Sequence, residues 1–128
     1  MTTNKETLAS GYASFAKGDV PGALGAFADD IQWIEPDGHP LAGTYIGHQA
    51  VVEGVFMRLA EIGDEFAVEP DSFVAEGDTV VALGHLTWKN KSSGAPAAVP
   101  MTHVWTFSGG KAVTFQQYVD TVRIRELS

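Results

Sequence analysis

The sequence predicts an α+β fold in which helices come first and a β-sheet follows. Apolar residues at helical spacing are concentrated in the first half of the chain. From Glu65 onward, β-branched and aromatic residues form strand-like segments separated by turn signals. The Gly109-Gly110 pair between two such segments is a strong hairpin signal, because glycine adopts positive φ without a Cβ clash.

Three helices are expected in the N-terminal half, at residues 3–17, 20–28 and 47–62. Leu8, Tyr12 and Phe15 share one face of the first, which Gly18 ends as a C-cap. Asp19 can cap the second helix, with proline tolerated in its first turn. The third has the clearest amphipathic pattern, and its apolar side comprises Val51, Val55, Phe56 and Leu59.

The strands are expected at residues 31–35, 66–75, 79–89, 97–107 and 111–120. A turn-rich loop with two prolines, residues 36–43, follows the first of them. We expect a curved, mixed or antiparallel sheet wrapped around the three helices. Such a sheet, with helices over its concave side, leaves a pocket between the two layers.

Length and composition restrict the class of protein. A chain of 128 residues is expected to form a single domain, residues 1–128. The net charge is −8 and no Lys/Arg cluster exists, so nucleic acid is not an expected partner. The chain has no cysteine, and its four histidines lack paired metal-ligand spacing, so no metal site and no cofactor are predicted. Neither a signal peptide nor an apolar membrane span is visible, which predicts a cytoplasmic protein without membrane contact.

The last predicted hairpin carries the best chemical lead. His103, Trp105 and Phe107 share one face of its first strand, and Asp120 shares a face of the second with Gln116 and Tyr118. A His and an Asp on neighbouring antiparallel strands could act as an acid/base pair, with Asp120 as the acid/base and His103 as its partner. Strand parity remains open, because one bulge would reverse which residues face the pocket.

Each candidate also has a structural interpretation. Asp120 ends an apolar strand and could cap a turn through Thr121. His103 could be packed and hydrogen-bonded within the sheet or lie at a dimer surface, and His85 has the same ambiguity. Tyr12 and the other aromatic candidates named below could be core residues, because aromatic side chains supply large burial.

Several segments resemble the NTF2-like superfamily and, within it, SnoaL-like proteins, which are relatives of polyketide cyclases and ketosteroid isomerases. They are YASFAKGD (12–19), FADDIQW (27–33), LAGT (41–44), IGH (46–48), HVW (103–105), GK (110–111) and QYVD (117–120). The resemblance implies a cone-shaped α+β fold with a pocket between helices and sheet, in a homodimer.

The resemblance also implies roles for particular residues. Ketosteroid isomerases hold a general-base carboxylate before a proline after the first strand, a place that Glu35 occupies here. Their second, protonated Asp corresponds to Thr102, and their oxyanion-hole Tyr to Gly11, one position before Tyr12. Polyketide cyclases place an acid/base Asp on the last strand, where Asp120 stands, and bring histidines from neighbouring strands, for which His85 and His103 are the nearest matches.

The function that follows is a cofactor-independent isomerase or cyclase that performs acid/base chemistry on a small apolar carbonyl compound. Asp120 and His103 are the predicted catalytic residues. The predicted substrate-binding residues are Tyr12, Trp33, Glu35, Phe56, His85 and Trp88. The alternative is a non-catalytic ligand-binding or dimeric interaction module of the same fold, which needs the cavity but no pair of titratable groups.

Overall fold

The computed structural model describes residues 2–128, which form four α-helices and one six-stranded sheet. The helices are α1 (Asn4–Ala16), α2 (Val20–Leu24), α3 (His48–Gly54) and α4 (Thr121–Leu127), with a 3₁₀ helix at Phe56–Glu61. The strands are β1 (Phe27–Glu35), β2 (Gly43–Ile46), β3 (Asp64–Glu76), β4 (Thr79–Lys89), β5 (Pro96–Ser108) and β6 (Lys111–Val119). This architecture confirms the predicted α+β class.

The sheet is curved and mixed, with strand order β2-β1-β6-β5-β4-β3. All neighbouring strands are antiparallel except β1 and β6, which pair in parallel. The first strand thus inserts beside the last one, so residues from both ends of the chain meet in the middle of the sheet. This parallel pairing of β1 with β6 places Trp33 of β1 opposite Phe115 of β6, and both residues line the site described below.

Helix α1 covers the inner face of the sheet. It begins with a capping box in which Thr3 accepts a hydrogen bond from the Glu6 backbone N–H and the Glu6 carboxylate accepts one from the Thr3 backbone. Leu8 is buried against the sheet, and the Tyr12 ring lies 6.0 Å, centre to centre, from the rings of His103 and Trp105. The helix therefore forms one wall of the space above the sheet.

Three predicted element boundaries are wrong. The second helix ends at Leu24, and β1 already begins at Phe27, which lengthens the predicted strand by four residues. The predicted helix 47–62 is divided into α3 and the 3₁₀ helix, because Val55 leaves the helical region at φ −123° and ψ −66°. Val55 is buried, so tertiary packing outweighs local helical preference at this point.

Two elements were absent from the sequence prediction. Strand β2 is only four residues long and follows the turn-rich loop, where it pairs with β1 from Gln32 to Glu35. Helix α4 follows β6 directly and buries Ile124. Within residues 2–128, no helix has the length and apolar character needed to cross a membrane.

Candidate active site

A cavity of about 70 Å³ lies between the inner face of the sheet, α1 and the 3₁₀ helix. Its walls are almost entirely apolar and include Leu8, Phe15, Val55, Leu59, Val68 and Leu86. Aromatic rings are packed against one another along the sheet side, where Trp33 stacks on Phe115 with 3.7 Å between ring centres. One water molecule needs roughly 10–15 Å³ on this scale, so the cavity has room for a small organic group.

The polar atoms of the cavity are concentrated at one end. Glu35, His39, His103 and Gln117 are all at least 95% buried, and all four line the cavity. They come from the end of β1, the following turn, β5 and β6. Since burial of polar groups costs free energy unless they are hydrogen-bonded, their contacts with one another are what makes this arrangement stable.

Glu35 is the one carboxylate in this polar group. Trp33 donates from Nε1 to Oε2 over 2.9 Å, and Gln117 donates from Nε2 to Oε1 over 2.5 Å. Burial disfavours the charged form and raises the pKa of Glu35 to about 7, although both hydrogen bonds act in the opposite direction. Glu35 can therefore accept or release a proton near neutral pH.

His39 faces the same carboxylate as a neutral imidazole. Burial lowers the pKa of His39 to about 4. The backbone N–H of Leu41 donates to Nδ1 over 2.9 Å, so the single ring proton is on Nε2. The nearest carboxylate oxygen, Oε1 of Glu35, is 3.7 Å from Nε2, which is longer than a hydrogen bond. The Nε2–H group is thus a donor that remains available beside Glu35.

His103 connects the polar end to α1. Its Nε2 lies 2.8 Å from Oε1 of Gln117, and its Nδ1 lies 2.6 Å from the hydroxyl oxygen of Tyr12. Trp105 donates from Nε1 to the same hydroxyl oxygen over 3.0 Å. Burial lowers the pKa of His103 to about 4 and also raises the pKa of Tyr12, so both groups are neutral at physiological pH.

Five of the predicted site residues line the cavity. These are Tyr12, Trp33, Glu35, Phe56 and His103. His103 and Trp105, which were predicted to share a strand face, both face the cavity, but the partner of His103 is Gln117 rather than Asp120. The structure does not form the predicted pair of Asp120 and His103.

The predicted placement of Asp120 in the pocket is wrong. Asp120 is exposed and acts as the N-cap of α4, where its side chain accepts a hydrogen bond from the Arg123 backbone N–H over 3.0 Å. The register of β6 shifts opposite Thr106 and Phe107, which inserts Val113 as an extra residue. Ala112, Phe115 and Gln117 consequently face inward, and the opposite set, which includes Tyr118, faces outward.

The predicted placements of His85 and Trp88 in the pocket are also wrong. His85 lies on the outer face of β4, half-exposed, with Nδ1 3.1 Å from a carboxylate oxygen of Asp71. Trp88 is buried, but it lies outside the cavity and donates from Nε1 to the backbone carbonyl of Leu127. His85 thus lies on the strand face that points away from the cavity, and Trp88 is a core residue that contacts the C-terminal helix.

Two residues of the polar end, His39 and Gln117, were not predicted from the sequence. His39 lies in a turn that is closed by its own N–H donating to the carbonyl of Pro36, and no periodic pattern indicates where such a side chain points. Gln117 is directly opposite His103 in the antiparallel register. That pairing is a usable signal, but only when the bulge at Val113 is placed correctly. Within residues 2–128, no group of three or more His, Asp or Glu residues is arranged to hold a metal ion.

Removal of the Asp120 cap is expected to affect stability alone. Asp120→Ala should lower the free energy of unfolding by about 1 kcal/mol, because the cap of α4 is lost, whereas Asp120→Asn should remain close to wild type. Urea unfolding of the two variants measures the difference. If either variant abolished a measured turnover while its stability stayed unchanged, Asp120 would have to be returned to the catalytic residues.

The buried titratable groups predict a specific pH dependence of stability. Between pH 4.5 and 6.5 the native state keeps a proton on Glu35 that the unfolded chain releases, because burial raises the pKa of Glu35 from 4.5 to about 7. Glu35 therefore lowers stability as the pH rises. His39 and His103 act in the opposite direction, because the pKa of each falls from 6.5 to about 4 and the unfolded chain binds the extra protons.

Glu35→Gln removes the contribution of Glu35 to the pH dependence, which opposes that of the two histidines. Its free energy of unfolding should rise with pH more steeply than that of the wild type in this interval, by about 1.4 kcal/mol per pH unit. Urea unfolding of both proteins at a series of pH values provides the measurement. Parallel curves would show that Glu35 titrates normally.

The comparisons with known proteins agree on one family. The sequence model described as "SnoaL-like domain" matches residues 9–115. An NTF2-like protein of unknown function from Burkholderia pseudomallei K96243 is 35% identical, with a TM-score of 0.87, over 99% of this chain and 98% of that chain. An NTF2-like protein from Burkholderia thailandensis E264 is 31% identical, with a TM-score of 0.92 and the same coverage.

A third structure, that of TerC co-crystallised with polyporic acid, is 30% identical, with a TM-score of 0.88, over 97% of this chain and 96% of that chain. No curated protein matches the chain. The family includes isomerases and cyclases. The matched residues and the shared fold together show that this chain belongs to the SnoaL-like family of NTF2-like proteins.

Proposed function

We propose that the protein is a small-molecule enzyme that carries out cofactor-independent acid/base chemistry, of isomerase or cyclase type, in this cavity. One observation carries the proposal: the carboxyl group of Glu35 is buried at the polar end of an apolar cavity, with its pKa raised to about 7. A general base works best when its pKa is near the operating pH. Glu35 replaces Asp120 as the proposed acid/base residue.

The Nε2–H group of His39 supplies the hydrogen bond that the reaction needs beside the base. Glu35 removes a proton from a carbon next to a carbonyl group. The electron pair of that C–H bond forms the C=C bond of an enolate, while the π pair of the carbonyl group moves onto its oxygen. His39 donates from Nε2 to this oxygen, in a site where few other groups compete for the hydrogen bond. Glu35 then returns the proton to a different carbon in an isomerisation. In a cyclisation, the enolate carbon attacks a second carbonyl carbon, and Glu35 returns the proton to the alkoxide oxygen that forms there.

The walls of the cavity restrict the substrate. No lining residue is Lys or Arg, so nothing in the cavity neutralises an anionic group, and a neutral carbonyl compound is favoured. The volume of about 70 Å³ accommodates a small ring or the reacting end of a larger molecule. The co-crystal of TerC with polyporic acid supports an organic small molecule as the occupant, because that protein is 30% identical over almost the whole chain.

Replacement of Glu35 by Gln tests this function. The probe reaction is exchange of the hydrogens next to the carbonyl group for deuterium in D₂O, followed by NMR with a panel of small cyclic ketones and diketones. Glu35→Gln preserves the shape of the side chain but removes its basicity, so the exchange rate should fall by about 10²–10⁴. The rate of the wild type should rise with pH through about 7, as the base form of Glu35 becomes populated.

Glu53→Gln is the matched control, because Glu53 is exposed on α3 and should leave the rate unchanged. Binding of the ketones without any enzyme-dependent exchange would contradict the proposed activity. That result would favour the alternative of a non-catalytic ligand-binding module.

We also propose that the protein is a homodimer through the outer face of the sheet. Leu83, Thr102 and Tyr118 form one cross-strand row on this face, and Leu83 and Tyr118 are 39% and 58% exposed. Val74, on the neighbouring β3, is 57% exposed. Contiguous apolar patches of several hundred Å² are rare on soluble monomers, so a second copy of the chain is the proposed cover.

Light scattering at micromolar concentration should give about twice the chain mass of 13.6 kDa. Leu83→Lys places a charge in the middle of the proposed interface and should shift the mass toward one chain. Met57→Lys is the control, because Met57 is 72% exposed on the 3₁₀ helix, away from the sheet, and should leave the mass unchanged. A wild-type mass of 13.6 kDa would rule out the dimer at this concentration.

A further inference from the structure

A continuous chain of hydrogen bonds connects Glu35 to Tyr12. Glu35 Oε1 lies 2.5 Å from Gln117 Nε2, Gln117 Oε1 lies 2.8 Å from His103 Nε2, and His103 Nδ1 lies 2.6 Å from the Tyr12 hydroxyl oxygen. Gln117 and His103, the two inner members of the chain, each use one polar atom toward one neighbour and a second polar atom toward the other. The direction of one bond in the chain therefore decides the direction of the next.

The ionised form of Glu35 fixes one direction. A carboxylate only accepts, so the amide NH₂ of Gln117 faces Glu35 and the amide oxygen faces His103. The neutral imidazole then donates from Nε2 to that oxygen and accepts at Nδ1. The Tyr12 hydroxyl must donate to Nδ1, and its oxygen accepts from Trp105, so its proton is unavailable to a molecule in the cavity.

The protonated form of Glu35 favours the reverse direction. Its O–H group donates to the oxygen of a Gln117 amide turned by 180°, and the NH₂ group then donates to Nε2 of His103. The imidazole proton resides on Nδ1 and is donated to the Tyr12 oxygen, which frees the hydroxyl proton. The two arrangements differ by the one proton on Glu35, while the imidazole keeps a single proton that changes nitrogen by exchange with solvent.

The position of His39 favours this reversal. In the first arrangement, its Nε2–H and the NH₂ group of Gln117 face each other, with 3.5 Å between the nitrogens, and both are donors. In the reversed arrangement, the Gln117 oxygen occupies that place and can accept from His39. The reversal thus exchanges a contact between two donors for a contact between a donor and an acceptor.

We propose that Glu35, Gln117, His103 and Tyr12 form a reversible hydrogen-bond relay, in which the charge on Glu35 decides whether the Tyr12 hydroxyl donates to His103 or into the cavity. Tyr12 lines the cavity, so the freed hydroxyl reaches a ligand oxygen there. The base form of the site then offers His39 alone to that oxygen, whereas the acid form adds the Tyr12 hydroxyl and lets His39 donate either to the oxygen or to Gln117. The catalytic role of the relay rests on the proposed function. In that role, the relay links proton uptake by Glu35 to stabilisation of a substrate oxygen.

The other titratable groups around Glu35 keep the same charge while the relay operates. His39 in the turn and His103 on β5 stay neutral above about pH 5, because burial lowers the pKa of each to about 4. Tyr12 on α1 stays protonated, because burial raises its pKa. The cavity lining contains no Asp, Lys or Arg. Glu35 is therefore the residue of the cavity lining whose charge changes between pH 5 and 9.

NMR of the free protein tests the relay without any substrate. Labelling with ¹⁵N distinguishes the protonated from the unprotonated nitrogen of a neutral imidazole, and ¹³C labelling of the carboxyl carbon follows Glu35. As the pH falls from 9 to 5, the proton of His103 should move from Nε2 to Nδ1 with the same midpoint as protonation of Glu35. A His103 ring that keeps one tautomer, or becomes doubly protonated, across that midpoint would overturn the relay.

Two variants separate the relay from a local effect. Gln117→Met has similar volume but no amide, so Glu35 should still titrate while the tautomer of His103 becomes independent of pH. Glu35→Gln keeps Gln117, His103 and Tyr12 and a hydrogen-bonding side chain at position 35 but removes the titrating group, and His103 should again keep one tautomer throughout. A tautomer change that persists in either variant contradicts the relay. Because these readouts need no turnover, failure of the deuterium-exchange assay leaves them unaffected, and failure of the relay leaves the role of Glu35 as base untouched.

Discussion

The burial of one carboxyl group, that of Glu35, is the constraint on which the arrangement of the site depends. An ionised carboxylate inside an apolar cavity is costly unless donors surround it, and here Trp33 and Gln117 supply two. They compensate only in part, and the pKa of Glu35 therefore rises to about 7. A carboxyl group that exchanges a proton near neutral pH is the result of incomplete compensation in a fixed geometry.

That geometry depends on the order of the strands. Because β1 pairs in parallel with β6, the end of β1 brings Glu35 next to Gln117, and the antiparallel pairing of β5 and β6 brings His103 opposite Gln117. The stack of Trp33 on Phe115 fixes the indole whose N–H donates to Glu35. Residues far apart in sequence thus meet through backbone pairing, and packed aromatic rings limit how far they can move.

The fold class, three N-terminal helical segments and five of the six strands could be predicted from the sequence, because periodicity and turn signals are local. Within the site, the place of Glu35 before Pro36 and the shared face of His103 and Trp105 could also be predicted, whereas the sequence left open which face of that strand points inward. Asp120 could not be placed correctly, because the single extra residue at Val113 reverses the faces of β6 and no local pattern marks that bulge. His39 was missed for a related reason, since side-chain direction in a turn is set by tertiary contacts.

The charge state of Glu35 at neutral pH is the central claim, and infrared difference spectroscopy measures it directly. A protonated carboxylic acid has a carbonyl stretching band that a carboxylate lacks, and subtracting the spectrum of Glu35→Gln isolates the contribution of this one residue. We expect the band to be present at pH 5.5 and to disappear with a midpoint near 7. A midpoint near 4.5, the ordinary value for an exposed glutamate, would contradict the account, because Glu35 would then be fully ionised and an unremarkable base.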